Sequence, residues 1–168
     1  MALLNILQYP DPRLQKIAAP VELSDINSEK IKSIITNMFE TMYLENGIGL
    51  AAIQVNIPLQ IVTINISEQK DQQLCLINPV ITNHQDFITS EEGCLSFPGI
   101  HAKIQRYKQI SVEFLDHLGN KQNLHAEDLL SICIQHEVDH LQGITFFDHL
   151  SPLKKSLLEK KLKKLRKK

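Results

Sequence analysis

Residues 127–142, EDLLSICIQHEVDHLQ, run without Gly or Pro and are followed by Gly143, the pattern of a helix closed by a glycine just past its end. Leu129, Leu130, Ile132, Cys133, Ile134, Val138 and Leu141 are spread around the axis of that helix rather than gathered in one stripe. A helix that is apolar on most sides must be covered on most sides, so the rest of the chain has to wrap it. The wrapping material is legible. Residues 28–45 place Ile31, Ile34, Ile35, Met38, Phe39 and Met42 at helical intervals and stop at Asn46-Gly47, which predicts an amphipathic first helix. LQIVTINI (59–66), LCLINPVI (74–81) and ISVEFL (110–115) are rich in strand formers, and DHLGNK after the last of them reads as a hairpin turn. The expected fold is α+β, with small, mainly antiparallel sheets packed around the buried helix. At 168 residues, with no internal repeat or linker, one domain spanning 1–168 is expected.

The buried helix carries HEVDH, residues 136–140, an H-E-x-x-H pattern. At about 100° per residue, His136 and His140 lie about 40° apart and one turn along the axis, so both imidazoles reach a single metal ion. Glu137 falls beside them, placed to accept a proton from water at the metal without being a ligand. Two histidines on the surface of a helix would need no metal, but in a buried helix unpaired polar groups are costly.

A catalytic site of this kind uses three protein ligands and leaves a position open. Cys133 shares the face of His136 and His140, but seven residues of helix rise about 10.5 Å, whereas two ligands of one ion lie at most about 4.4 Å apart. Cys133 is therefore expected in the wall of the site. Glu159 would complete a thermolysin-like peptidase site, yet it stands between Lys155 and Lys163 at helical spacing, the pattern of a solvated face. Cys94, in EEGCLSFPG, is the remaining candidate, held in a turn marked by Gly93, Pro98 and Gly99. Its neighbours Glu91 and Glu92 read equally well as acceptors for a histidine N–H or as exposed carboxylates. A closed structural metal site is a further alternative, but no remaining His or Cys has the spacing to supply its fourth ligand.

Charge is distributed unevenly. Residues 154–168 hold nine Lys or Arg against one Glu, a net of +8, leaving nine basic and eighteen acidic side chains, or −9, for the rest. Ser151 and Pro152 are the N-cap and first position of a helix over about 151–168, in which Leu153, Leu157, Leu158, Leu162 and Leu165 form a stripe that can pack. This basic helix is either docked on its own domain with its lysines in solvent or lies on nucleic acid such as ribosomal RNA. No apolar run approaches the roughly 18 residues needed to span a bilayer, and the first residues lack a basic leader, so a cytoplasmic protein without membrane contact is expected. Three cysteines without framework spacing point to reduced thiols.

GIGLAAIQ (47–54) follows the first helix and reads either as a backbone that something approaches closely or as a tight turn. Gln54 offers a neutral N–H donor to a polarised oxygen. Together, GIGLAAIQ, EGCLS (92–96) and HEVDHL (136–141) resemble the three signature motifs of peptide deformylases, in order and spacing, and the likeness runs from YPDPRL to the SPLKK of the tail. The resemblance implies hydrolysis of the formyl group from the N-terminal formylmethionine of newly made polypeptides, releasing formate. It implies Cys94, His136 and His140 as ligands of Fe2+, which Zn2+, Ni2+ or Co2+ can replace, and Glu137 as the proton shuttle. By the same resemblance, Gln54 and the backbone N–H of Leu95 donate to the formyl oxygen. Ile48 and Gly49 flank the peptide, while Ile48, Ile132 and Cys133 line an apolar pocket for the methionine. A monomer acting on formylated nascent peptides is expected, with the ribosome as a partner only if the basic helix lies on its RNA.

Overall fold

The computed structural model describes residues 2–168. Its elements are α1 (Glu29–Leu44), β1 (Gly49–Ala51), β2 (Ile61–Ile64), β3 (Leu74–Gly93), β4 (His101–Leu115), β5 (Lys121–Glu127), α2 (Asp128–Leu141) and α3 (Pro152–Arg166), with short 3-10 turns between them. The five strands form one antiparallel sheet in the order β1-β2-β3-β4-β5. This is the expected α+β arrangement, with one continuous sheet in place of several small ones.

The sheet covers α2 as the periodicity demanded except in its first turn, where Leu129 is exposed. Val62, Ile64 and Leu76 from the centre of the sheet, with Ile110, Val112 and Phe114 from β4, pack in one buried cluster with Cys133, Ile134 and Leu141 of α2. On the even positions of β4, Ala102, Ile104, Ile110, Val112 and Phe114 are buried, the period-2 alternation of a half-covered strand. The amphipathic α1 starts at Ser28, whose hydroxyl accepts from the Ile31 N–H at 3.2 Å, a side-chain cap for an otherwise orphaned donor. Its buried residues Ile31, Ile35, Met38 and Met42 make a second core with Leu50, Ile61 and Ile77.

Three features differ from the sequence expectation. Strands β3 and β4 run far past the apolar segments, pairing from Ile77 opposite Leu115 to Gly93 opposite His101. Residues 82–87 are exposed, so they carry no apolar alternation to betray them. Gly49–Ala51 is a buried strand paired with β2, not a tight turn. The leucine stripe of α3 packs only in part: Leu162 is buried and Leu158 partly so, against Phe97, Ile100 and Phe147, while Leu153 and Leu157 face solvent. The contact is narrow because α3 meets the body along one aromatic ridge, where Tyr9 stacks on Phe97 at 4.8 Å and its hydroxyl donates to Glu159 at 2.6 Å.

Candidate metal centre

Three segments far apart in sequence deliver the donors. Helix α2 supplies His136 and His140, one turn apart, with ring centroids 5.0 Å from each other. At the end of β3 the chain leaves the sheet in a turn closed by the Phe97 N–H donating to the Cys94 carbonyl at 2.9 Å, which holds the Cys94 thiol over the helix. Its Sγ lies 3.4 Å from His140 Nε2, and one donor atom each from Cys94, His136 and His140 lies within 4.8 Å of the others. Among the described residues this is the group of donors that fits one cation. Glu159 is elsewhere, engaged by Tyr9, so the peptidase arrangement is not formed. Cys133 lies in the wall, its thiol 3.9 Å from the Ile48 carbonyl.

The electrostatics suit a cation. His140 is fully covered, its Nδ1 has no partner, and burial holds it well below the usual imidazole range, in the neutral form that ligates metals. Burial acts the same way on His136, but Cys94 and the Glu92 carboxylate outweigh it and favour positive charge at this ring. Glu92 accepts from His136 Nδ1 at 2.8 Å, which fixes the ring and leaves Nε2 for the metal side. Of the two carboxylates that sequence could not separate, Glu92 is therefore the buried acceptor and Glu91 the exposed one.

Glu92 is itself anchored by a residue that sequence reading missed. Arg106 donates to both Glu92 oxygens, Nε at 2.8 Å and Nη2 at 2.9 Å, and through Nη1 to Asp139 at 2.7 Å. His149 Nε2 also lies 2.8 Å from Asp139 Oδ2. Burial alone would raise Glu92, but the hydrogen bonds from Arg106 and His136 bring it down to about 2. The signal was available: Arg106 is a charged side chain on the apolar parity of β4, and an inward charge needs a buried partner.

Glu137 faces the same space with no ion-pair partner. Its Oε2 is buried without a hydrogen bond, and burial, partly offset by His136, pushes its carboxyl up to about 7. Gln54 is buried with its amide oriented, Oε1 accepting from the Ala51 N–H at 2.9 Å and Nε2 donating to Ser96 Oγ at 3.1 Å. That leaves the second amide hydrogen on the Cys94 side, with Nε2 3.5 Å from Sγ. Gly49 is obligatory here: a Cβ would come within 2.6 Å of Glu137 Oε1 and 2.8 Å of Cys133 Sγ. These groups open onto a cavity of about 660 Å3 whose lining includes Ile48, Gly49, Leu95, Ile132 and Cys133. The structure thus brings Cys94, His136, His140, Glu137, Gln54, Leu95, Ile48, Gly49, Ile132 and Cys133 together and leaves Glu159 apart.

Residues 3–156 match the family described as polypeptide deformylase. A peptide deformylase of Nitrosococcus oceani is 51% identical over 164 residues, covering 98% of this chain and 96% of the relative. One from Neisseria meningitidis is 49% identical over 167 residues, covering 99% and 98%. Among solved structures, a peptide deformylase from Legionella pneumophila superposes with a TM-score of 0.94 at 40% identity, covering 99% of this chain and 96% of that one. The Ehrlichia chaffeensis peptide deformylase in complex with actinonin gives 0.92 at 36% identity, covering 100% of both.

Proposed function

The chain belongs to the polypeptide deformylase family and carries out its reaction, hydrolysis of the formyl group from formylated nascent peptides, and from that premise we propose how its residues divide the work. The observation that carries the assignment of roles is the cluster of Cys94, His136 and His140 with a buried, unpaired Glu137 beside it. Cys94, His136 and His140 would hold a divalent cation, which would supply Lewis acidity and make water more acidic. Glu137 takes a proton from the attacking water as its oxygen bonds to the formyl carbon. Gln54 Nε2 and the Leu95 backbone N–H donate to the formyl oxygen as charge gathers on it. The C–N bond then breaks, Glu137 passes its proton to the departing nitrogen, and formate and a free amino terminus result. Ile48 and Gly49 flank the peptide, and Ile132 and Cys133, with Ile48, form the wall against its methionine side chain.

Formate release from formyl-Met-Ala-Ser tests the reading; a metal-loaded protein that releases none overturns it. Cys94→Ser should lower bound metal per chain at least about tenfold on dialysis, because it removes a thiolate, whereas Cys133→Ser should leave it unchanged. The opposite pattern would exchange the two roles. The resident ion we propose is Fe2+, with Zn2+, Ni2+ or Co2+ able to substitute, and elemental analysis of protein purified without oxygen decides among them.

We further propose that the whole chain acts as a single unit, monomeric and cytoplasmic. No described helix is long and apolar enough to cross a membrane, and the family match reaches from residue 3 into α3. The exposed lysines of α3 suit ribosomal RNA. Changing Lys154, Lys160, Lys161 and Lys164 together to Gln should weaken ribosome binding and flatten its salt dependence, while hydrolysis of short peptides is spared. Unchanged ribosome affinity would return α3 to a purely structural role.

A further inference from the structure

Among the described residues, the buried side-chain polar atoms without a partner are Glu137 Oε2, His140 Nδ1 and Ser90 Oγ. The first two belong to the centre already described; the third is used by nothing. Ser90 sits in β3 opposite Ile104, in unbroken register through Glu91 and Glu92. The alternation of a strand therefore puts it on the face of Glu92, which reaches His136, and away from Glu91 in solvent. It lines the same cavity as Ile132, Cys133 and Glu137.

We infer that Ser90 is a specificity-determining residue, whose hydroxyl donates to an acceptor at the end of the substrate's first side chain, so that formylated peptides beginning with methionine sulfoxide are hydrolysed as well as those beginning with methionine. This rests on the methionine pocket assigned above. A thioether sulfur accepts weakly, so methionine gains little from Ser90. Its sulfoxide is polar and carries a strong acceptor oxygen, which a wholly apolar pocket would leave unpaired at a cost. Ser90 Oγ gives up no bond to make this one. A serine hydroxyl has three staggered χ1 positions to choose from, and on a residue that lines the cavity the bond to the sulfoxide satisfies two groups at once. The hydrolysis itself is unchanged, with water adding across the formyl C–N bond.

The test compares kcat/KM for formyl-Met-Ala-Ser, its methionine sulfoxide form and the norleucine analogue, which has no acceptor, in the wild type, Ser90→Ala and Ser90→Thr. Ser90→Ala should lower the sulfoxide peptide about tenfold and leave the norleucine peptide within about twofold, while Ser90→Thr, which keeps the hydroxyl, restores the sulfoxide peptide. A wild type that rejects the sulfoxide, or a Ser90→Ala protein with an unaltered sulfoxide-to-norleucine ratio, overturns the inference. If the wild type releases no formate even from formyl-Met-Ala-Ser, it is the underlying assignment that falls.

Discussion

Glu137→Gln should leave the protein folded and metal-loaded while lowering formate release by about 10²–10⁴-fold, the range associated with loss of a positioned general acid–base group. The substitution keeps the shape of a buried side chain and removes only its ability to carry the proton. Glu137 suits that task because no side chain pairs with it: Oε2 has no partner, and burial lifts the carboxyl to about 7, near the pH at which proton exchange with water and an amine is efficient. Turnover and metal content should be measured on the same preparation. If metal disappears together with activity, Glu137 is a ligand and the assignment of its role fails.

Arg106→Met should be the most damaging single change to stability. The side chain is buried and makes three charge-assisted hydrogen bonds, two to Glu92 and one to Asp139. Its removal strands the Glu92 carboxylate inside the protein, which typically costs about 3–5 kcal/mol and should appear as a large drop in the urea midpoint. The pH dependence identifies the cause. Glu92 titrates in the folded protein at about 2, below its ordinary value of 4.5, so its contribution is complete above 4.5 and is lost as the pH falls towards 2. The wild type should therefore lose stability over that interval, and Arg106→Met should lose much less. Parallel acid limbs in the two proteins would show that Arg106 does not hold Glu92 in its charged form.

The sequence was most informative where one element had to satisfy two demands. Helix α2 had to be buried and had to carry His136 and His140 on one face, and helical geometry alone placed both rings at one ion while excluding Cys133. Selecting Cys94 as the third donor followed from elimination and from resemblance; its position over α2 depends on where the β3–β4 ribbon ends. That ribbon was the least legible part, since residues 82–87 stand in solvent and their pairing leaves no pattern in side-chain polarity. The role of Glu92 was undecidable in isolation because it depends on Arg106, fourteen residues away and opposite Ile88 rather than Glu92 in the register. Ser90 was invisible for the opposite reason: an unsatisfied hydroxyl is defined by the partners it lacks.

The aromatic seam between Tyr9, Phe97, Phe147 and Leu162 has a consequence for how the molecule is made. Phe147 and Leu162 are made 50 and 65 residues after Phe97, so at roughly 5–20 residues per second the seam stays open for at least about 3 s of synthesis. Until then the rings next to the thiol turn remain uncovered. A newborn copy should thus be stickier, and more readily cleaved around residues 94–99, than a finished one.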